Sequence, residues 1–362
     1  MNTLPPTIFI IVGATGDVSR RLVLPALAVL REHEALPVFF ETIQTSRKDV
    51  PGYLRLLDSN DAHELAREVQ SIEERHKQGC QVIAYLAVPP EGVLEMARLL
   101  GESGVVSRIL LEKPFGTDEE SARELSTELS YFFTPSQIVR VDHYLAKRVV
   151  AECSAYLGQI QGDVRVIDIH IYESIGVEGR AVFYEATGAL RDMVQSHALL
   201  VGAELYASAY DISRTEALER IAPIETIVRA QYSGYTHDVG NEESLTETFV
   251  SLETKIGDTL LRITTGKALD HKETSVTLTT GYGEHIETKV FRDSPYETWQ
   301  PLGYQKVLLD SMNPEQGGGG ITETEIELLW RRIDPLVADW KRETQIATYS
   351  KGSTAQEVLT NI

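Results

Sequence analysis

Thr7-Ile8-Phe9-Ile10-Ile11-Val12-Gly13-Ala14-Thr15-Gly16-Asp17 is the stretch whose reading decides the fold. Its first six residues are apolar or β-branched without a break, so they predict a strand with no polar face, the kind buried on both sides of a parallel sheet. Gly13 interrupts the run at once, and from Val18 to Leu30 apolar residues return at helical spacing. Strand, glycine turn and helix in that order leave backbone N–H groups at a helix N-terminus, where a dinucleotide pyrophosphate binds. Gly13, Ala14, Thr15, Gly16 and Asp17 are therefore the first cofactor-binding candidates. The pattern is a GxxG variant of the fuller GxGxxG fingerprint, and a tight turn into a helix is the plain alternative.

Outward from this unit the alternation continues. Leu36 to Ile43 reads as a second strand, Tyr53 to Gln78 as a helix, and Val82 to Val88 as a strand stopped by Pro89-Pro90. Glu91 to Ser103 is helical, Arg108 to Leu111 extended, Glu119 to Leu129 helical, and Ile138 to Val141 extended again. Helices alternating with apolar strands predict a Rossmann-like, doubly wound parallel sheet. After Asp163 the pattern changes. Val164 to Tyr172, Ile227 to Tyr232, Glu247 to Glu253, Thr259 to Thr265 and Thr274 to Thr280 alternate as half-exposed antiparallel strands do. Helical stretches surround them at Ala189 to Tyr206, Trp299 to Met312 and Glu323 to Asp339, and Gly317 to Gly320 reads as a flexible loop. The expected fold class is α/β, with a dinucleotide-binding domain over residues 1–145 and a C-terminal α+β domain with a mainly antiparallel sheet over 146–362.

Two domains also suit a chain of 362 residues, which exceeds the size at which a single core stays efficient. Hydrophobic residues at 42% and charged residues at 24% belong to a folded globular chain rather than a disordered one. The 34 Lys+Arg against 54 Asp+Glu leave a net charge of −20, a field that disfavours nucleic acid and anionic membrane as partners. An anionic substrate then needs a local basic patch, for which Arg20-Arg21 and the segment ending at Lys147 are available. There is no charged-then-apolar leader and no apolar run of spanning length, so a cytoplasmic location is expected. Cys80 and Cys153 have neither disulfide-framework nor metal spacing, and His33-Glu34 and His63-Glu64 do not extend to HExxH, so no metal is expected.

The choice between NAD and NADP is usually made just beyond the second strand, where an acid suits a ribose diol and Arg with hydroxyls suits a 2′-phosphate. Arg47 with Thr45 and Ser46 favours NADP, while Glu41 keeps NAD as the alternative. A further cluster, Val139-Arg140-Val141-Asp142-His143-Tyr144-Leu145-Ala146-Lys147, crowds an acid, an imidazole, a phenol and an ammonium at a strand end. Two readings fit it. Asp142 caps a helix with Lys147 on its solvent face, or the cluster binds a phosphate and orients a base.

Ile109-Leu110-Leu111-Glu112-Lys113-Pro114-Phe115-Gly116, taken with this cluster and with Ala84 to Pro90, resembles the glucose-6-phosphate dehydrogenase family. Glu173 to Arg180 and Arg191 to His197 resemble that family's EPFGTEGR and RDVMQNH segments. The likeness continues through Glu247 to Val250, Gly266 to Leu269, Leu308 to Met312 and Trp330 to Pro335, and so covers nearly the whole chain.

The resemblance implies oxidation of glucose 6-phosphate at C1 to 6-phosphogluconolactone with hydride transfer to NADP, the oxidative branch of the pentose phosphate pathway. It implies His197 as the general base and Asp142 as its carboxylate partner, roles that suit an imidazole near its pKa. His143, Tyr144 and Lys147 correspond to phosphate-binding residues, and Glu173 and Asp192 to carboxylates that accept from sugar hydroxyls. Lys113 corresponds to the lysine touching both cofactor and substrate, and Lys267 and Lys272 to a basic pair of the second domain. Arg20, Ser46, Arg47, Pro89 and Lys113 complete the expected cofactor set, and a homodimer or higher homo-oligomer is the expected assembly. Two departures stand out: the chain is shorter than typical members, and Leu22 occupies the third basic position of the run after the Gly-Asp step. They leave open another aldose phosphate, or a non-catalytic nucleotide-binding homologue.

Overall fold

The run Thr7–Val12 forms β1, with all six residues buried. The computed structural model describes residues 4–48, 50–56, 61–160, 163–282, 285–294, 299–313 and 320–362. It divides the chain into two units, Met1–Ala146 with Gln300–Glu323 and Lys147–Trp299 with Thr324–Ile362. In the first unit β1 is joined by β2 (Phe40–Ser46), β3 (Leu54–Arg55), β4 (Gln81–Leu86), β5 (Arg108–Leu111) and β6 (Ile138–Arg140). The sheet order is β3-β2-β1-β4-β5-β6 and every pairing is parallel. Its crossover helices are α1 (Leu24–Glu32), α2 (Ala62–His76), α3 (Pro90–Ser103) and α4 (Glu119–Ser130). The order reverses between β1 and β4, and open α/β sheets bind ligands at that reversal, outside the carboxyl ends of the strands.

Local expectations are corrected in three places. The helix expected over Tyr53 to Gln78 begins only at Ala62, and Leu54–Arg55 instead pairs with Thr45–Ser46 as an edge strand. The second strand starts at Phe40 rather than Leu36, because Thr7 sits opposite Phe40 and Val38 stands fully in solvent. The helix after the glycine turn begins at Asp17 and passes through a π-helical turn, Ser19–Val23, before α1.

The stretch 300–323, expected in the second domain, belongs to the first unit. The reason is packing that no local pattern announces. In the helix Tyr304–Met312, Leu308 and Met312 enter the same apolar cluster as Leu27, Tyr85 and Val139. Gln81 Nε2 donates to the Met312 carbonyl at 2.8 Å and so ties that helix to β4. Of the loop expected at Gly317 to Gly320, Gly317–Gly319 lie outside the described residues.

In the second unit α5 (Arg148–Ile160) leads into β7 (Val164–Tyr172), α6 (Ala181–Ala189), a π-helix over Leu190–Ala198, α7 (Leu199–Tyr210) and α8 (Arg214–Glu219). Then follow β8 (Thr226–Tyr232), α9 (Tyr235–Val239), β9 (Phe249–Ile256), β10 (Thr259–Gly266), β11 (Glu273–Tyr282) and β12 (His285–Arg292). After the helix Tyr304–Met312, numbered α10, come α11 (Glu323–Trp340), β13 (Ala347–Tyr349) and α12 (Ala355–Asn361). The sheet order is β12-β11-β7-β10-β9-β8-β13. As expected it is mainly antiparallel, with β7–β10 and β8–β13 the two parallel pairings. A period of two reports which face is buried and says nothing about strand direction. On β7, Ile167, Ile169 and Ile171 are buried on the face covered by α7, and Asp168, His170 and Tyr172 stand on the other face. Among the described residues no helix is long and apolar enough to cross a membrane.

Candidate active site

The first unit places the glycine loop at the sheet reversal. Gly13 has φ +79°, and a Cβ there would lie 2.6 Å from the Ala87 carbonyl oxygen, so only glycine lets the loop after β1 pass this close to the end of β4. The Ala14 N–H donates to the Thr45 carbonyl at 3.0 Å and the Gly16 N–H to the Gly13 carbonyl at 2.9 Å, which ties the loop to the end of β2. Ser19 Oγ donates to the same Gly13 oxygen at 3.0 Å. The helix begins at Asp17, so the loop leads into a helix N-terminus whose backbone N–H groups suit an anion. Asp17 itself is exposed and paired with Arg21 at 2.8 Å.

Ser46 and Arg47 end β2 beside this loop, Ser46 buried and Arg47 exposed. Glu41 lies at the opposite end of the same strand, 3.6 Å from His76 Nε2. Five residues of extended chain separate it from Ser46, roughly 16 Å. Arg20 is exposed on the π turn, Leu22 two residues on is 38% exposed, and Pro89 precedes the first turn of α3.

At the ends of β5 and β6 the first unit gathers Glu112, Lys113, Asp142, His143 and Tyr144. Tyr85, fully buried on β4, donates a very short hydrogen bond to Glu112. Burial raises the Glu112 carboxyl above its ordinary value, against hydrogen bonds from Tyr85 and Tyr304 and the nearby Lys113 ammonium. Asp142 Oδ1 accepts the N–H groups of Tyr144 at 2.7 Å and Leu145 at 3.2 Å, so the acid does cap the turn that follows it. The His143 ring stacks on Tyr304 with centroids 5.0 Å apart. Tyr304 comes from α10, which explains why the stretch around Asp142 gave no hint of it.

The second unit brings Glu173 and Lys267 together through strand register. Tyr172 pairs with Gly266 on the parallel strands β7 and β10, so the next residue of each strand stands side by side with its neighbour. Lys267 Nζ donates a very short, charge-assisted bond to Glu173 Oε2 and lies 5.0 Å from the centre of the Tyr184 ring. Lys272, expected as the second member of a basic pair, is exposed ahead of β11, whereas Lys267 is buried. Lys147 Nζ binds Asp293 Oδ2 at 2.6 Å.

Asp192 and His197 are both carried by the π-helix Leu190–Ala198, and both are buried. In an α-helix, residues three and four apart share a face. A π-helix closes its bonds from i to i+5, as the Leu199 N–H does to the Val194 carbonyl, so its turn is wider than that of an α-helix. Asp192 and His197 are five apart. Both residues therefore stand on a widened turn rather than on an ordinary α-helical one.

Two residues of this unit escaped the sequence reading. Tyr184 is 1% exposed and its hydroxyl has no hydrogen-bond partner among the described residues, although Asp192, Glu247 and Glu173 all act on it electrostatically. Glu247 is buried and accepts the Leu190 N–H at 2.8 Å. An acid inside the otherwise apolar or β-branched run before β9 was the available signal.

Known proteins share the fold and the sequence pattern of both units. A profile for the glucose-6-phosphate dehydrogenase NAD binding domain matches residues 51–152, and one for the C-terminal domain of the same enzyme matches 161–294. The chain belongs to the glucose-6-phosphate dehydrogenase family. Glucose-6-phosphate 1-dehydrogenase 1 of Mycobacterium tuberculosis (strain CDC 1551 / Oshkosh) is 31% identical over 75% of this chain and 69% of its own length. Glucose-6-phosphate 1-dehydrogenase of Treponema pallidum (strain Nichols) is 27% identical over 97% of this chain and 92% of its own. A solved structure of glucose-6-phosphate dehydrogenase in complex with its substrate superposes with a TM-score of 0.85 at 20% identity, covering 100% of this chain and 98% of that one. The family is one of oxidoreductases, and its first unit is a nicotinamide-dinucleotide domain. The Gly13 loop fits such a cofactor.

Proposed function

We propose that the chain oxidises glucose 6-phosphate at C1 to 6-phosphogluconolactone and uses NADP. Bound dinucleotide supplies the hydride acceptor. His197 takes the proton from the C1 hydroxyl as hydride leaves C1, a task for a neutral imidazole, and Asp142 orients it and balances the charge it gains. Asp192 and Glu173 accept from sugar hydroxyls, and Lys267 holds Glu173 in place. His143, Tyr144 and Lys147 take the phosphate, which as a dianion competes with Asp293 for the Lys147 ammonium. Lys113, adjoining the buried Glu112, faces both ligands. The observation that carries this reading is the π-helix, which buries an acid, Asp192, and an imidazole, His197, on one element in a family that oxidises a sugar phosphate.

NADP is preferred because Arg47 and Ser46 adjoin the Gly13 loop whereas Glu41 lies at the far end of β2. Leu22 favours one second reading, another aldose phosphate, because an exposed aliphatic group replaces a cation next to the cofactor loop.

The test is absorbance of reduced nicotinamide with purified protein, glucose 6-phosphate and NADP or NAD, with His197→Asn in parallel. Turnover with NADP that falls about a thousandfold in the variant is expected for loss of a general base. No reduction with any aldose phosphate sinks the enzymatic reading, and equal rates in both proteins sink the base assignment alone.

A further inference from the structure

Glu247 has no part in the chemistry above, yet it is bound into the element that carries that chemistry. Its Oε1 accepts the Leu190 N–H at 2.8 Å and its backbone carbonyl accepts the Ala189 N–H at 3.0 Å. Just before them Gly188 turns the chain with φ +64°, and a Cβ on Gly188 would lie 2.3 Å from the same Oε1. The π-helix thus starts at a sharp kink, and the space beside the kink is filled by the Glu247 carboxyl. The first N–H groups of a helix lack partners within it, and its N-terminus favours negative charge. An ionised carboxylate satisfies both needs, and Asp192 follows Leu190 by two residues.

We propose that Glu247 is a positioning residue whose carboxylate anchors the first turn of the π-helix and thereby sets where Asp192 and His197 stand. A cavity of 240 Å³ lies beside it, lined among others by Arg191, Arg229, Trp340, Lys341 and Glu343. It gives water a path to an otherwise buried acid. The titratable and charged groups around Glu247 are Tyr184 on α6, Arg191 on the π-helix, Arg229 on β8, Tyr235 on α9, and Lys341 and Glu343 beyond α11. Arg229 is itself committed, stacked over Trp340 at 4.7 Å and bonded to Glu343 at 2.6 Å. Burial pushes the Glu247 carboxyl up to about 7, against the Leu190 N–H and the fields of Arg191 and Arg229. The anchor therefore changes charge in the neutral range. Above the midpoint it accepts a charge-assisted bond, and below it the bond weakens to that of a neutral acid.

The test follows the Leu190 amide in full-length protein labelled with 15N-leucine, and the pH profile of kcat. The wild-type Leu190 signal shifts with a midpoint near 7, and in Glu247→Gln it does not shift. The acid limb of kcat requires two ionisations, His197 and Glu247, in the wild type and one in Glu247→Gln, with kcat above the midpoint reduced about tenfold in the variant. A wild-type Leu190 amide that does not titrate there overturns the anchor, even where the variant fails to fold. So does a Glu247→Gln protein with unchanged kcat and an unchanged acid limb. The kinetic arm rests on the dehydrogenase reading and the spectroscopic arm does not. Absence of turnover with every sugar phosphate therefore fails that reading and leaves the amide to decide the anchor.

Discussion

Gly13 works by having no side chain. Its φ of +79° and the 2.6 Å approach of a notional Cβ to the Ala87 carbonyl combine a backbone penalty with a clash against backbone that cannot rotate away. Gly13→Ala is expected to destabilise the first unit by about 2 kcal/mol and to weaken dinucleotide binding at least tenfold, read by calorimetric unfolding and by titration with NADP. Glu247 gives a second residue-scale expectation, on stability. Its carboxyl titrates at about 7 folded against an ordinary 4.5, so the native state holds the proton more tightly than the unfolded chain does. Stability contributed at this site therefore falls as pH rises from about 4.5 through about 7 and is level beyond, a loss of about 3 kcal/mol. Urea midpoints should show Glu247→Gln gaining on the wild type as pH rises through that window, while its kcat is lower. A carboxylate kept for stability alone gives the opposite result.

At the scale of elements the π-helix matters most. An apolar run with helical spacing across Ala189 to Tyr206 announced a helix correctly, but spacing alone could not distinguish a turn closing at i+4 from one closing at i+5. The widened turn follows a kink at Gly188 and the Glu247 carboxyl that fills its inner side. Gly188→Ala is expected to force that carboxyl off Leu190, lowering stability by about 3 kcal/mol and kcat about tenfold with circular dichroism in the far ultraviolet unchanged. A variant with wild-type kcat would separate the kink from catalysis. The sheets tell a related story. β1, β4 and β5 were legible because strands covered on both faces are apolar throughout, and β7 because one covered face alternates. The parallel pairing of β7 with β10, which sets Glu173 beside Lys267, was not legible, since the two partners are almost a hundred residues apart.

For the whole molecule, the chain leaves the second unit after Trp299, packs residues 300–323 into the first, and returns at Thr324. The return is fixed by Glu325, whose side chain is 3% exposed and whose two oxygens bind Arg214 Nε at 2.8 Å and Nη2 at 3.0 Å. Arg214 also binds Glu204 at 3.2 Å, so α7, α8 and α11 meet at one guanidinium. Removing one partner of a buried pair leaves the other poorly compensated. Glu325→Ala should lower unfolding free energy by about 3 kcal/mol, and Glu325→Gln by less, measured by urea denaturation. The sequence by itself determined the strands and glycine loop of the dinucleotide unit, the change to a half-exposed sheet after Asp163 and the family, and it nominated the residues proposed for the site. Those features are local, carried by side-chain periodicity, glycines where a backbone must turn, and short motifs read in order. Only the tertiary structure decided that residues 300–323 complete the first unit, that Tyr304 stacks on His143, that the helix of His197 is a π-helix, and that Glu247 holds its first turn. Each depends on contacts between residues distant in sequence, where burial and register rather than local preference set the geometry.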